Sequence, residues 1–355
     1  MADITTTTTR AWDPPAPNPA LYTNEHHAAY LADSPPLLPG PDDCIIRMRS
    51  NGICGSDAHF WRHGGIGSLK VTSAYVLGHE GAGEVVHTGS SVSHLRVGDR
   101  VSVEPGVPCG ECGQCSRGSY NLCREVKFSG APPYNGSVRR YHLHPAKFLH
   151  KIPDGLSFTE GALLEPFSVA LRAFELAPVR LGESTVVCGA GPIGLCALAI
   201  AKASGARPIV VLDVDQGRLE FAKNFVPECT TFQVQAGVEP EETARRVNET
   251  IVEAVGAQPR VVYECTGVES SVIAAAHMPQ PGGTVMVIGV GRTTMDDLPF
   301  MHMVSLCPSW WNTVGAVPNP YFPFLYSQWQ KSISNLSIVT IILGLLLSGF
   351  WRTRW

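Results

Sequence analysis

Four closely spaced cysteines constrain the fold of this chain more than any other feature. They are separated by two, two and seven residues and lie among glycines, at positions Cys109, Cys112, Cys115 and Cys123. Four thiolates at this spacing can enclose one tetrahedral zinc ion on a single loop and leave no position for water. An iron–sulfur cluster, which is also held by four cysteines, is the alternative. The pattern therefore predicts a structural metal centre that holds a long lobe in shape.

A second metal-binding pattern lies upstream and combines three different ligand types. Cys54, His79 and Glu80 offer a thiolate, an imidazole and a carboxylate, a set that suits zinc. Three protein ligands leave the fourth tetrahedral position open, as in catalytic zinc sites. The alternative is that Cys54 is a small buried apolar residue and His79 an ordinary turn residue.

Glu165 is an acidic residue inside an otherwise apolar segment. Burying a carboxylate is costly unless it meets a cation or hydrogen-bond donors. A zinc ion or its water would be a sufficient partner, which places Glu165 beside the upstream site. A helix N-cap or a salt bridge to Arg172 is the alternative interpretation.

A glycine-rich motif in the second half of the chain predicts a dinucleotide site. Its residues Gly189, Gly191, Pro192, Ile193 and Gly194 follow a strand pattern and open a helical one. Pyrophosphate binds at such helix N-termini, where free N–H groups point outward.

Asp213 ends the next predicted strand, where a dinucleotide-binding domain has an acidic residue. Its carboxylate would accept hydrogen bonds from the ribose hydroxyls and repel a 2′-phosphate, which favours NAD over NADP. Arg218 could serve a phosphate, but beside Asp213 it is interpreted as packing over the adenine. A tight turn with a capping Asp is the alternative.

The pattern of apolar runs changes along the chain and predicts two domains. From 20 to 170, short β-type runs broken by Gly and Pro indicate a mostly β domain. From 171 to 303, short apolar strands alternate with helical stretches, which predicts an α/β fold with a doubly wound parallel sheet. A helix over 161–176 is predicted between them. Residues 1–19 are expected to form a disordered arm, and 304–355 form an atypical apolar tail.

Charge and composition exclude several classes of partner. A net charge of −4 argues against nucleic acid and anionic membrane surfaces, which demand a basic face. Eleven cysteines without a secretory signal indicate a reducing, cytoplasmic environment. The apolar run 336–351 would reach roughly 24 Å as a helix, short of a hydrocarbon core of about 30 Å. A membrane span is therefore not expected, although a tail anchor stays open as an alternative.

Three longer motifs give the chain a family resemblance. They are Asp-Ala-His-Phe-Trp-Arg-His-Gly at 57–64, Leu-Leu-Glu-Pro-Phe-Ser-Val-Ala-Leu at 163–171 and Glu-Cys-Thr-Gly-Val-Glu-Ser-Ser at 264–271. With two zinc-type sites and a β domain before a dinucleotide domain, the chain resembles the zinc-dependent medium-chain dehydrogenases. Over residues 21–303 it is similar to their polyol branch, which acts on sorbitol, xylitol and L-arabinitol. The resemblance implies a GroES-like catalytic domain followed by a Rossmann domain.

The resemblance also implies roles for individual residues. Catalytic zinc would be held by Cys54, His79 and Glu80 with Glu165 beside it, directly or through water, and structural zinc by the four clustered cysteines. Ser56 and His59 match the family's proton relay. NAD contacts are implied for Pro192, Ile193, Asp213, Arg218 and Ile288.

The implied reaction is NAD-dependent oxidation of a polyol to a ketose in pentose catabolism, by a homotetramer. Phe60 stands where sorbitol dehydrogenases carry Tyr, which favours L-arabinitol, giving L-xylulose, over sorbitol or xylitol. After Met303 the sequence departs from the family, whose members continue with a Gln-Tyr-Arg segment and a last βα portion. The alternative is therefore an inactive product of a changed reading frame that keeps zinc and NAD binding.

Overall fold

The computed structural model describes residues 11–292 and 294–306. These residues divide into two compact units, the first ending at Glu165 and the second beginning at Pro166. The boundary lies five residues before the one expected at 170/171, inside the helix that joins the units. That helix runs from Phe158 to Leu176, three residues longer at its start than the predicted 161–176.

Short strands make up most of the first unit. Its strands are β1 Pro19–Thr23, β2 Ala29–Asp33, β3 Asp43–Gly52, β4 Gly65–Ile66, β5 Leu69–Lys70, β6 Tyr75–Val76, β7 Glu80–Thr88, β8 Arg100–Val103, β9 Gly106–Val107, β10 Lys127–Phe128, β11 Tyr141–Pro145 and β12 Leu149–Lys151. Its helices are α1 Gly55–His63, α2 Gly113–Ser116 and the first part of α3 Phe158–Leu176. The mostly β character predicted for this region is confirmed.

An antiparallel sheet in the order β11-β3-β7-β8-β12 forms the centre of the first unit. One of its faces buries apolar side chains that include Ile46, Val85 and Val101. The long β3–β7 pair ends with Gly52 opposite Glu80. This register brings the residues that follow β3 next to those that begin β7.

Part of the arm expected to be disordered over 1–19 belongs to the first unit. Residues 1–10 lie outside the described part, but 11–19 pack against the first unit, so the expectation is wrong there. The Trp12 ring lies edge-on to Tyr141 with 5.0 Å between centroids. Asn18 is buried. Its side-chain amide donates a hydrogen bond to the Tyr141 carbonyl oxygen and accepts one from the Tyr141 N–H. The composition of residues 1–19 did not indicate that Trp12 and Asn18 anchor this stretch.

The second unit is a doubly wound α/β domain. Its strands are β13 Thr185–Cys188, β14 Ile209–Asp213, β15 Thr230–Gln233, β16 Val261–Glu264 and β17 Thr284–Val287. Its helices are the rest of α3, α4 Pro192–Ala203, α5 Gln216–Phe225, α6 Pro240–Val255, α7 Glu269–Ala276 and α8 Phe300–Leu306. The strands pair in parallel in the order β15-β14-β13-β16-β17.

Both faces of this parallel sheet are covered, which explains its continuous apolar strands. Val187, Val211 and Tyr263 face one buried cluster, together with residues of α3, α4 and α5. The alternate positions Val186 and Val210 face a second cluster with α6 and α7. The expected fold class is confirmed. The polar edge strand Thr-Thr-Phe-Gln of β15 was missed because it has no apolar run.

Within the described residues, no helix is both long enough and apolar enough to cross a membrane. The apolar run 336–351 lies outside the described part, as does all of the predicted tail after α8. The predictions made for that tail therefore stay predictions.

Candidate active site

Strand pairing brings together the three predicted ligands of the upstream metal site. Cys54 follows the end of β3, and Glu80 begins β7, opposite Gly52. His79 immediately precedes Glu80. One ligand atom from each of the three residues lies within 4.8 Å of the others. His79 and Glu80 are buried and Cys54 is half-buried, so the donors meet in a largely water-excluded place.

Gly52 makes room for the Glu80 carboxylate. A Cβ atom at position 52 would lie 1.9 Å from Glu80 Oε2, far inside van der Waals contact. Any larger side chain here would therefore displace the carboxylate. Sequence reasoning did not single out Gly52, because its function depends on the register of β3 against β7.

Asp57 links two of the ligands through one buried carboxylate. Its Oδ2 accepts a hydrogen bond from the Cys54 backbone N–H at 3.0 Å. Its Oδ1 accepts one from the Gly78 N–H at 3.1 Å and lies 3.7 Å from His79 Nδ1. A carboxylate behind a ligating histidine fixes the orientation of its ring. Asp57 was missed as a site residue, although its position three residues after the helix cap Cys54 is typical of a capping box.

Burial shifts Cys54, Glu80 and Glu165 toward their neutral forms. Burial, followed by repulsion from Glu80, raises the pKa of the Cys54 thiol to about 11. Burial also raises the pKa of the Glu80 carboxyl and raises that of Glu165 well above its ordinary value. A divalent cation favours the ionised forms of the same groups, so the donor set fits a zinc ion.

Glu165 lies beside the three ligands. The side chain is 3% exposed, and the charges of His79, Glu80 and Cys54 all influence its pKa. It is not part of the group whose ligand atoms lie within 4.8 Å of one another. Arg172, the alternative partner, forms an ion pair with Glu175 at 3.0 Å.

Ser56 and His59 lie on α1, directly after Cys54. Ser56 is buried, and a hydrogen bond with it lowers the pKa of the Cys54 thiol, against the larger effect of burial. His59 is exposed and contacts the ring of His63 with 5.3 Å between centroids. Residues three apart are neighbours on a helix. Ser56 therefore lies at the buried end of this pair, and His59 lies at the surface. Phe60 is buried against Tyr75.

The four clustered cysteines converge on one point. Their Sγ atoms are 3.5 Å apart for Cys112 and Cys115, 3.6 Å for Cys109 and Cys123, and 3.8 Å for Cys109 and Cys115. A tetrahedron with Zn–S bonds of about 2.3 Å has edges of roughly 3.8 Å. These distances fit a single metal ion. They do not fit a cluster of several irons, which holds its cysteines farther apart on separate metal atoms.

A buried polar cluster anchors the cysteine lobe to the sheet. Glu104 follows β8 and is 1% exposed. Its carboxylate accepts a hydrogen bond from the Tyr120 hydroxyl at 3.1 Å and contacts His150 Nε2. The His144 Nε2 atom lies 2.8 Å from the Glu104 carbonyl oxygen. Because Tyr120 lies inside the lobe and Glu104 at the sheet, this cluster, which sequence reasoning missed, ties the two together.

The glycine motif of the second unit forms a tight turn between β13 and α4. Gly189 has a φ of +99°, which favours glycine, and a Cβ at Gly194 would lie 1.8 Å from the Gly189 carbonyl oxygen. Gly191 caps α4, and Pro192 occupies its first turn. Gly191 adds no side chain at the cap, and the space beside it is open, so a pyrophosphate could approach the helix N-terminus closely.

Asp213 holds the same turn from the next strand. Its Oδ2 accepts the Ala190 N–H at 2.7 Å, and its Oδ1 accepts the Asp215 N–H at 2.9 Å. The Arg218 guanidinium lies 3.9 Å from Asp213, with its side chain 61% exposed. Ile288 follows β17, and its N–H donates a hydrogen bond to the Glu264 carbonyl oxygen. The predicted cofactor residues therefore lie along one edge of the sheet.

Comparison with known proteins identifies the class that this fold and these sites define. Residues 40–154 match the alcohol dehydrogenase GroES-like domain, and residues 192–325 match the zinc-binding dehydrogenase family. The chain is 46% identical over 299 residues to L-arabinitol 4-dehydrogenase of Aspergillus oryzae, covering 81% of this chain and 78% of that relative. It is 41% identical over 284 residues to "Probable D-xylulose reductase A" of Emericella nidulans, covering 80% of this chain and 78% of that relative.

A solved structure agrees with these sequence relatives. The 2R,3R-butanediol dehydrogenase of Bacillus subtilis superposes with a TM-score of 0.70 at 27% identity, covering 81% of this chain and 82% of that one. The chain therefore belongs to the zinc-dependent medium-chain dehydrogenases. Within that family it is an enzyme of the polyol branch. The expected family, fold class and enzyme class are confirmed, as are zinc and a nicotinamide cofactor, NAD or NADP.

Proposed function

We propose that this enzyme oxidises a secondary alcohol of a pentitol to a ketone, with L-arabinitol as the preferred substrate and L-xylulose as product. The observation that carries the proposal is the convergence of Cys54, His79 and Glu80 in a buried place. The substrate choice rests on the relatives, since identity is higher to the L-arabinitol enzyme than to the D-xylulose reductase. Xylitol and sorbitol are the alternative substrates.

The proposed roles of the residues follow from their places. Cys54, His79 and Glu80 hold zinc, Glu165 borders the ligands, and Asp57 keeps the His79 ring oriented. Zinc held there would supply Lewis-acid activation of the substrate hydroxyl, and a bound nicotinamide cofactor would supply the hydride acceptor. The buried Ser56 hydroxyl receives the proton of the substrate hydroxyl as it gives up its own proton toward His59. The exposed His59 imidazole, one helical turn further, passes it to solvent.

The cofactor site is proposed to select NAD. The Asp213 carboxylate accepts two backbone N–H groups and keeps free lone pairs for the ribose hydroxyls of NAD. Its negative charge would repel the 2′-phosphate of NADP. The neighbouring Arg218 offsets part of that charge, and being largely exposed it is free to pack over the adenine.

The lobe of Cys109, Cys112, Cys115 and Cys123 is proposed to hold structural zinc. Its near-tetrahedral sulfur geometry supports this assignment. A cytoplasmic homotetramer is proposed from the family resemblance. The described cysteines form no disulfide, which is compatible with a reducing compartment. Light scattering of the purified chain tests the assembly.

The function is tested by following NAD reduction by purified protein with L-arabinitol, xylitol and sorbitol, while zinc is measured by mass spectrometry. We expect zinc at both sites and the highest kcat/KM with L-arabinitol. Full zinc occupancy without turnover of any polyol would instead support the inactive-product alternative. A higher kcat/KM for xylitol would move the substrate assignment to the D-xylulose reductase group.

A further inference from the structure

Glu264 carries a fully buried carboxylate at the end of β16. Its Oε1 accepts hydrogen bonds from the Thr266 N–H and the Ser271 hydroxyl, both at 2.9 Å, and from the Thr266 hydroxyl. Its Oε2 accepts the Gly267 N–H at 2.9 Å. Four donors converging on one carboxylate fix the turn that leads from β16 into α7, because each bond to a charged acceptor is stronger than a neutral one.

The backbone of Glu264 fixes a second segment. Its carbonyl oxygen accepts the N–H groups of Ile288 at 2.7 Å and Gly289 at 3.0 Å. These residues follow β17, the neighbouring strand. One residue therefore holds both the 265–271 turn and the 288–289 segment.

The backbones of these two segments lie in close contact with each other. The 265–271 turn also contacts the glycine turn between β13 and α4. A Cβ on Gly289 would lie 2.0 Å from the Gly267 nitrogen, and one on Gly291 would lie 1.9 Å from the Gly267 oxygen. A Cβ on Gly189 would lie 2.8 Å from the Thr266 methyl group. Such contacts leave little room for movement, so a displaced 265–271 turn would disturb the glycine turn as well.

We propose that Glu264 is a positioning residue of the NAD site. It holds the 265–271 turn and the 288–289 segment against the glycine turn, at the carboxyl edge of the sheet where doubly wound domains bind ligands. Glu264 is too deeply buried to touch the cofactor, and it acts through Thr266, Gly267 and Ile288. The inference rests on the proposed function, since it assumes that NAD binds at the glycine motif.

The substitution Glu264→Gln tests the proposal with little change in shape. An amide accepts at one end and donates at the other, so the donors that meet one of the two carboxylate oxygens now face an N–H₂ group. These are either the Gly267 N–H or the three donors of Thr266 and Ser271. We expect the affinity for NAD to fall roughly tenfold or more, because a hydrogen bond to a charged acceptor is lost. The kcat at saturating NAD and the zinc content should stay within about twofold of wild type, since binding precedes the chemical step.

Two serine variants provide the matched comparison. Ser271→Ala removes one donor to Glu264 and should weaken NAD binding by a few-fold, as expected for a single hydrogen bond. Ser270→Ala changes the exposed neighbour and should bind NAD as wild type does. Hydrogen exchange should become faster at the amides of Gly267 and Gly289 in Glu264→Gln and in Ser271→Ala.

The readout is the dissociation constant of NAD, measured by calorimetry on zinc-loaded protein, together with the split between KM for NAD and kcat. A folded Glu264→Gln protein that binds NAD like wild type would overturn the inference, even if its melting temperature fell. If Glu264→Gln does not fold, unchanged NAD affinity in Ser271→Ala overturns it. A wild-type protein that fails to bind NAD would contradict the proposed function itself.

Discussion

The two candidate metal sites of the first unit are built in opposite ways. The four-cysteine site lies on one loop, and its ligands come from a single short stretch of sequence. The Cys54 site is assembled by the pairing of β3 with β7 and is completed by supports that bind no metal themselves. A local site therefore depends mainly on its ligands, whereas a dispersed site also depends on strand register, on Gly52 and on Asp57.

The largest effect is expected from Cys115→Ser, which removes one thiolate of the lobe. Structural zinc supplies folding free energy, about 10–16 kcal/mol in isolated zinc-finger peptides. Losing even several kcal/mol should lower the melting temperature by roughly 10 °C or more. Calorimetry with zinc analysis measures this loss. A variant that melts like wild type would show that the lobe does not need its metal.

Cys54→Ser should abolish turnover and leave the lobe intact. Loss of Lewis-acid activation, worth several kcal/mol, should lower kcat/KM by roughly a thousandfold or more. The melting temperature should change far less than in Cys115→Ser, and the four-cysteine zinc should remain bound. Retained activity would refute the assignment of Cys54 as a catalytic ligand. NAD-reduction assays and zinc analysis of both cysteine variants make the comparison direct.

The cluster that anchors the lobe predicts a dependence of stability on pH. Burial lowers the pKa of His144 to about 4. The unfolded chain takes up this proton near a pKa of about 6.5, so the unfolding free energy should fall as the pH drops from about 6.5 to about 4. The loss from this one group is about 3 kcal/mol, and it contributes no pH dependence above about pH 7.

Denaturant titrations between about pH 4 and pH 8 measure this loss. His144→Asn should flatten the pH dependence, whereas His63→Asn, at an exposed position, should leave it unchanged. An unchanged slope in His144→Asn would show that other groups, such as the buried His142, carry the effect.

The smallest effect is expected from Asp57→Asn, which leaves every ligand in place. The variant loses the negative charge 3.7 Å from His79 Nδ1 but keeps an oxygen that can accept a backbone N–H. Supports of this kind typically contribute about 10–100-fold to metal affinity. Chelator titration should therefore strip the Cys54 site at roughly tenfold lower chelator concentration or less, while the four-cysteine site serves as the internal control. Equal loss from both sites would show general destabilisation instead.

The contrast between a local and a dispersed site also explains which residues could be predicted from the sequence. The four lobe cysteines and the three upstream residues Cys54, His79 and Glu80 could be proposed as ligands from residue type and spacing, and the structure brings each group together. Most strands of the second unit could be placed within a residue or two because their apolar runs are continuous. Gly52, Asp57 and Glu264 could not be found in this way. Their functions arise from contacts between strand ends, and only the tertiary structure brings those ends together.

We propose that this chain holds two zinc ions in chemically different sites, of which only one depends on Cys54. Zinc X-ray absorption of the loaded wild-type protein and of Cys54→Ser tests it most directly. We predict a mixture of sulfur and nitrogen or oxygen ligands in wild type, and only four sulfur ligands at about 2.3 Å in Cys54→Ser. A mixed-ligand signal that persists unchanged in Cys54→Ser would show that Cys54 does not bind the second zinc ion.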